Sequence, residues 1–128
     1  MSYYFSKIIK EKFEDAVLNV TEALKNEGFG VLTEIDVQST LKKKLDVDFR
    51  KYKILGACNP PFAYKALQAE DKIGLLLPCN IIVQELSDGS TEVACIDPIQ
   101  SMQMVKNDKL ADIASEVQHK LKNVIKSL

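Results

Sequence analysis

The stretch that most constrains the fold is a strand pattern that runs straight into the start of a helix. Residues 52–58 form a short, mainly apolar run ending in Cys58, and Asn59 and Pro60 follow at once. Asparagine favours the N-cap of a helix, and proline is tolerated at the first helical position, where its missing N–H costs nothing. We therefore predict a buried strand over 52–58 and, directly after it, a short helix. The inner face of that helix is formed by Ala63, Ala66 and Leu67.

The segments before this stretch alternate between strand and helix patterns. Residues 2–9 vary with period two and predict a strand, whereas the apolar positions from Phe13 to Leu24 have helical spacing. Gly28 can take the left-handed conformation that ends a helix, so that Phe29 folds back onto Leu24. A further strand is predicted over 30–36, followed by a short helix capped by Asp36 and a loop over 45–49.

The segments after the short helix predict a bent strand and a hairpin. Residues 73–77 are apolar on both faces and predict a buried strand, which Pro78 interrupts before residues 81–86 resume it. Asp88 and Gly89 are typical of a two-residue hairpin turn, and residues 91–97 form the returning strand. This turn pairs Leu86 with Thr91, Ile82 with Cys95 and Asn80 with Asp97. In that register Cys79 and Cys95 point to opposite faces of the sheet.

The last part of the chain predicts one long helix. Asn107 or Asp108 caps it, and one apolar stripe runs from Leu110 to Leu128, whereas residues 99–105 have no clear pattern. The whole chain, residues 1–128, is predicted to be a single α+β domain. Its sheet has about five strands, largely antiparallel, with both long helices on one face and short helices inserted into a β-α-β-β-β-β-α-like order.

Composition excludes several classes of protein. The 17 basic and 18 acidic residues leave no cationic surplus, and only Arg50 is an arginine, so we expect no nucleic-acid binding. No apolar run approaches the roughly 18–20 residues of a membrane-spanning helix, and the N-terminus has no signal-peptide pattern. Three cysteines without C-x-x-C spacing suit a reducing compartment. We therefore expect a cytoplasmic protein that does not contact a membrane.

Four segments in order resemble one known family. They are Gly-Phe-Gly-Val-Leu-Thr-Glu-Ile-Asp at 28–36, the strand-to-helix corner at 54–60, Leu-Leu-Pro-Cys-Asn at 76–80, and Ile-Asp-Pro at 96–98. Together they resemble the bacterial and archaeal family catalogued as domain of unknown function three hundred and two, over nearly the whole chain. The resemblance implies a small α+β domain that forms a dimer. It implies no activity, substrate or cofactor, and it assigns no catalytic residue.

Two cysteines are the first candidate site. Cys58 and Cys79 both follow apolar segments and precede an asparagine, so we expect them at one rim of the sheet. If their thiolates converge, they could bind a soft metal or form a redox pair. Alternatively, both are small buried apolar residues, as free cysteines usually are. His119 lies opposite the apolar stripe of the last helix and is expected at the surface, so we assign no metal site.

Three polar residues are the second candidate site. Asn59, Asn80 and Asp97 could line a small polar pocket with an apolar floor, the usual form of a small-molecule site. The alternative is that Asn59 caps a helix while Asn80 and Asp97 bind loop amides at a strand end. Carboxylates at Glu34 and Asp36 and the basic run 42–44 are weaker candidates, which a cap and a solvated face explain.

The hypotheses about function follow from these sites. The first is a non-enzymatic module that binds or senses a small molecule or soft metal between the sheet rim and the helix after Pro60. The second is a thiol enzyme or redox protein that uses Cys58 or Cys79, and the third is a plain dimeric scaffold. For a homodimer, residues 73–77 and 99–105 are the candidate contacts.

Overall fold

Alternation of buried and exposed side chains builds an antiparallel sheet of five strands. The computed structural model describes residues 2–128, and the strands are β1 (Tyr4–Ile9), β2 (Gly30–Asp36), β3 (Tyr52–Cys58), β4 (Cys79–Glu85) and β5 (Thr91–Ile96). They lie in the order β1-β5-β4-β3-β2, and each neighbouring pair is antiparallel. The helices are α1 (Phe13–Asn26), α2 (Val37–Leu45), α3 (Pro60–Ala69), α4 (Pro98–Met102) and α5 (Asp108–Lys126). The predicted α+β fold is confirmed.

The two long helices, α1 and α5, pack on the same face of the sheet. Their apolar stripes meet the inward residues of the central strands in one cluster, and its fully buried members include Val20, Leu24, Ile81, Val93 and Leu121. Burial of such side chains contributes about 1.5–3 kcal/mol each before conformational entropy is counted. This cluster is the main core. Across residues 2–128, no helix has the length and apolar composition needed to cross a bilayer.

The end of α1 and the starts of α2 and α5 follow the local sequence as predicted. Gly28 has a φ of +85°, the N–H of Phe29 donates to the carbonyl of Leu24 at 2.9 Å, and the N–H of Gly28 donates to that of Lys25 at 3.0 Å. These two bonds form the predicted Schellman end. Asp36 and Asn107 accept hydrogen bonds from the backbone N–H groups of Ser39 and Lys109, so each caps its helix.

The predicted hairpin register is wrong by one residue. Glu85 pairs with Thr91 and Ile81 with Cys95, because the chain turns through three residues, 87–89, and not through Asp88-Gly89 alone. Gly89 has a φ of +87°, as expected at the left-handed position of a three-residue loop. A shift of one residue moves every side chain to the other face. Cys79 and Cys95 therefore lie on the same, helix-covered face, contrary to the prediction.

The apolar run 73–77 is not a strand, and this prediction is also wrong. It belongs to a 3-10 helix, Asp71–Leu76, in which Ile73 is buried and Leu75 is 85% exposed. A short apolar run has no periodicity that separates a buried strand from a short helix. Pro78 precedes the first residue of β4, where it interrupts no pairing. The β-bulge in this sheet lies in β2, between Val31 and Thr33.

A second, smaller core lies beside the sheet. Residues from α3, the 3-10 helix, α4 and α5 form it, and they are Ala66, Ile73, Met102, Leu110 and Ala114. The segment 99–105, which had no clear pattern, supplies most of α4 and the turn after it. Its two methionines differ, since Met102 is buried in this cluster and Met104 is 73% exposed.

Gly56 allows a close approach that a larger residue would block. A Cβ at Gly56 would lie 2.7 Å from Cγ of Pro78 and would overlap Oγ1 of Thr33, whereas a Cβ at Gly30 would meet nothing within 4 Å. We expect Gly56→Ala to lower the free energy of unfolding by about 1–3 kcal/mol, because the Pro78 ring must move. Gly30→Ala is the matched control and should change the free energy of unfolding by less than about 0.5 kcal/mol or raise it slightly. Urea unfolding measures both, and equal midpoints for the two variants would contradict the prediction.

Candidate functional site

A cavity of about 310 Å³ opens beside α3, where β3 ends and β4 begins. Its floor contains Ala57 and Cys79, which are paired across the two strands. This volume lies at the lower end of the range for small-molecule sites. An apolar cavity of about 150 Å³ suffices to hold benzene, so this one has room for a ring with a substituent.

The walls of the cavity come from segments far apart in the sequence. On one side α3 contributes Phe62, Ala63 and Ala66, and on the other α5 contributes Ile113 and Val117. Phe29, Leu77, Pro78 and Met102 also line the cavity. Of the lining residues that the structure describes, none carries a charge, so the cavity favours an apolar, uncharged occupant.

Asn59 is the residue through which the strand-to-helix corner reaches the cavity. It stands at the N-cap position of α3 as predicted, but its side chain does not cap the helix. Only 8% of Asn59 is exposed, and its Nδ2 lies 3.4 Å from the carbonyl oxygen of Glu27, to which it donates. The amide thus links the start of α3 to the end of α1.

Cys58 and Cys79 both line the cavity, as the sequence analysis expected of a shared rim. Burial, with a smaller contribution from Cys58, raises the pKa of the Cys79 thiol to about 11. Burial likewise raises the pKa of Cys95 well above its usual range. Both thiols are therefore protonated at neutral pH, and a protonated thiol is a poor nucleophile and metal ligand. Cys58, the last residue of β3, is half-buried.

The other candidate residues lie outside this cavity. The observed register turns Asn80 to the face opposite the long helices, where it faces Gly56 of β3 and not Asp97. Asp97 caps α4 by accepting from the N–H of Ile99 at 3.0 Å, and it also accepts two hydrogen bonds from Nε2 of Gln118. The predicted pairing of Asn80 with Asp97 is wrong because it depended on the two-residue turn. Glu34 forms an ion pair with Lys53 at 2.7 Å, and His119 is exposed as predicted.

Metal-binding geometry is absent from the described residues, 2–128. Among them, no three His, Cys, Asp or Glu side chains lie close enough together to hold an ion. Zinc usually takes four ligands in structural sites and three in catalytic ones. The cavity thus presents its two thiols without the further ligands that such an ion requires.

Sequence reasoning missed most of the cavity lining. The sequence assigns no role to Phe62, places Met102 in a candidate dimer contact and places Leu77 in a strand. Because the lining residues lie between positions 29 and 117, no local spacing links them. The sequence contains one indication of the cavity. A proline pair followed by alanines predicts a helix with little side-chain bulk near its start.

The comparisons with known proteins point to one family. The model described as "Domain of unknown function DUF302" matches residues 5–128. A crystal structure of an uncharacterized conserved DUF302 protein from Bacillus stearothermophilus matches with a TM-score of 0.91 and 27% identity, over 98% of each chain. An uncharacterized protein of Aquifex aeolicus (strain VF5) is 31% identical over 94 residues, which are 73% of this chain but 59% of that protein.

The three thiols should differ in their reactivity toward iodoacetamide at neutral pH. We expect Cys58 to be alkylated first, because it is half-buried, whereas Cys79 and Cys95 are buried. The rate at Cys79 should rise about tenfold per pH unit toward pH 11, since only the thiolate reacts. Mass spectrometry of modified peptides, with Cys58→Ser and Cys79→Ser as controls, measures each rate. Alkylation of Cys79 at neutral pH as fast as that of Cys58 would contradict the expectation.

Proposed function

The chain belongs to the DUF302 family of domains of unknown function, and we propose that within it this protein binds a small, uncharged, mainly apolar molecule between the sheet and α3. The observation that carries the proposal is the cavity of about 310 Å³, which has apolar walls and one polar side chain, Asn59. A largely preformed apolar pocket with few polar groups is the usual form of a ligand site. The protein then acts as a binding or sensing module and not as an enzyme.

The charge of the lining supports an uncharged ligand. An ion that entered the cavity would lose its hydration without gaining a charged partner, and this costs several kcal/mol. A ring or a short acyl chain would lose no such interaction and would gain about 25 cal/mol for each Å² of apolar surface removed from water. The apolar part of the ligand therefore supplies most of the affinity.

A thiol enzyme is the competing proposal, and only Cys58 favours it. Burial holds Cys79 in the protonated form, which is unsuitable for nucleophilic attack at neutral pH. Cys58 is half-buried at the cavity, but no His and no carboxylate is among the lining residues that the structure describes. A thiol nucleophile usually has a neighbouring base or cation. The binding module is therefore the better supported function.

Filling the cavity should abolish binding of an apolar probe. We expect N-phenyl-1-naphthylamine, a neutral dye that fluoresces in apolar sites, to bind the protein, and Ala63→Phe to weaken that binding at least about tenfold, or 1.4 kcal/mol. Ala63 is half-buried in the cavity wall, whereas Ala111 is exposed on α5, so Ala111→Phe is the matched control. Fluorescence titration measures both variants, and thermal unfolding checks that each is folded.

Amide chemical shifts of the unmodified chain give an independent test of where the dye binds. Titration with the dye should shift the signals of Ala57, Asn59 and Ala63 more than those of the exposed residues of α1. Shifts confined to another surface, or equal affinity in the two Phe variants, would show that the cavity is not the binding site.

We also propose that the sheet face away from the long helices pairs with a second copy of the chain. Its side chains are largely apolar and are left half-buried or exposed, among them Tyr4, Ile8, Ile35, Ile54 and Ile82. Leu75, which is 85% exposed, lies beside Pro78 in a hollow that Asn80 and Ile96 of this face also line. Contiguous apolar patches of several hundred Å² often mark protein–protein contacts.

The size and charge of this open sheet face support a second copy as its partner. Five strands spaced about 4.8 Å apart and about six residues long give a flat outline of about 480 Å², and protruding side chains raise the accessible area toward the roughly 600 Å² per partner of small stable interfaces. Glu92 projects from β5 onto this face, where its Oε1 accepts from Gln84, and Arg50, just before β3, donates from Nε to Oε1 of the same Gln84 at 2.8 Å, so the two charges on the face have opposite sign. Two such faces can meet without repulsion between like charges.

A carboxylate in the middle of the open sheet face should separate the two copies. In a symmetric dimer whose two-fold axis passes over β4, Ile82 of one copy contacts Ile82 of the other. The Ile82→Glu substitution therefore buries two like charges. We expect it to raise the dissociation constant of the dimer at least about 100-fold. Sedimentation velocity should give twice 14.3 kDa for the unmodified chain and 14.3 kDa for the variant. Ile8→Glu, at a position 61% exposed, repeats the test with little risk to folding.

Leu18→Glu is the matched control for this test, since Leu18 is 66% exposed on α1. This variant should remain dimeric. A mass of 14.3 kDa for the unmodified chain at every concentration would contradict the dimer, and equal dissociation of all three variants would contradict the choice of face.

A further inference from the structure

We infer that the ligand of the cavity carries a hydroxyl group, which donates a hydrogen bond to Oδ1 of Asn59. This inference rests on the proposed function and assigns the ligand a class: a phenol or a short alcohol with an apolar body. It depends on the unusual position of one nearly buried amide.

The local sequence gives the Asn59 side chain little to do as a cap. An N-cap oxygen normally accepts from the N–H of the second or third helical residue. Here the first two helical residues are Pro60 and Pro61, which have no N–H, and the side chain makes no capping bond to Phe62. The first helical turn is closed by the backbone instead, since the N–H of Ala63 donates to the carbonyl of Asn59 at 2.9 Å.

The nitrogen of the amide is held by the end of α1. Nδ2 donates to the carbonyl oxygen of Glu27, and it lies so close to Gly28 that a Cβ there would be 3.2 Å from it. Since Glu27 and Gly28 belong to the Schellman end of α1, the amide cannot turn without losing this contact. The orientation of the side chain is therefore set by the fold.

The oxygen of the same amide is left without a donor. Within the chain from residue 2 to residue 128, no N–H or O–H donates to Oδ1, although Asn59 is only 8% exposed. This oxygen is nevertheless accessible. In the described chain, every inaccessible side-chain oxygen has a hydrogen-bond partner, so an oxygen without a partner must be accessible. Asn59 lines the cavity, so an occupant placed against this residue can reach the accessible oxygen.

The environment of this oxygen selects a neutral donor. A hydrocarbon that covered this oxygen would displace water from it and leave it unpaired, which costs free energy, so an occupant that donates to it gains more than a hydrocarbon of the same shape. An ammonium group could donate as well, but the lining has no carboxylate to replace its lost hydration. A hydroxyl group on an apolar body satisfies both the oxygen and the walls.

A pair of ligands that differ in one hydroxyl tests the inference. We expect Asn59→Leu, which keeps the branching and the number of side-chain heavy atoms and removes the acceptor, to weaken p-cresol binding about tenfold and to leave toluene binding unchanged or slightly tighter. Affinities from isothermal titration or ligand-detected NMR give the ratio of the two dissociation constants in each protein. Comparing the ratios cancels the hydration of the hydroxyl itself.

The outcomes separate this inference from the proposal on which it rests. If neither compound binds the unmodified protein, the cavity proposal and the inference both fail. If both bind and Asn59→Leu changes both affinities equally, the cavity is a ligand site but the role of Asn59 is wrong. 4-Methylanisole, whose oxygen cannot donate, provides a test without any mutation: it should bind the unmodified protein no more tightly than toluene. Binding as tight as that of p-cresol would overturn the inference.

Discussion

The closure of the β4–β5 hairpin through three residues is the constraint on which the rest of the structure depends. With Gly89 in the left-handed conformation, Ile81, Val83 and Val93 all face α1 and α5, and each of the three is fully buried. Side-chain direction alternates along a strand, so a turn shorter by one residue would expose one of the two strands' apolar sets to water. The main core, and therefore the positions of both long helices, requires this one loop conformation.

The same register determines how the cysteines of β4 and β5 are buried. It turns Cys79 and Cys95 inward, where burial raises the pKa of both thiols. The cysteines of β4 and β5 therefore act as small apolar residues of the core, which is the usual role of a free cysteine. Only Cys58, at the end of β3, remains half-buried. The cavity that Cys58 and Cys79 border is suited to apolar contacts more than to thiolate chemistry.

Local rules predicted the ends of elements better than the relations between them. Gly28, Asp36 and Asn107 act where the sequence placed them, because each depends on residues within one helical turn. The prediction of the hairpin register was wrong because an Asp-Gly pair suits both a two-residue and a three-residue loop, and only burial of the core decides between them. Because of that one error, the sequence predicted a pair between Asn80 and Asp97 that the structure does not contain. The position of Cys58, Asn59 and Cys79 around one cavity was expected from the strand-to-helix corner, whereas its walls come from residues distant in the sequence.

The cavity persists because its walls belong to two separate cores. Phe62 packs against the main cluster, Ala66 and Met102 belong to the smaller one, and Ile113 of α5 contacts both. An empty space in a core is lost when its neighbours can relax into it. Here α3 is held at its start by the strand-to-helix corner and along its length by α5, and its alanines are too short to fill the gap. If the walls moved together to close the space, contacts within one cluster would be lost as contacts within the other became tighter. The fold therefore keeps an apolar opening beside an oriented amide.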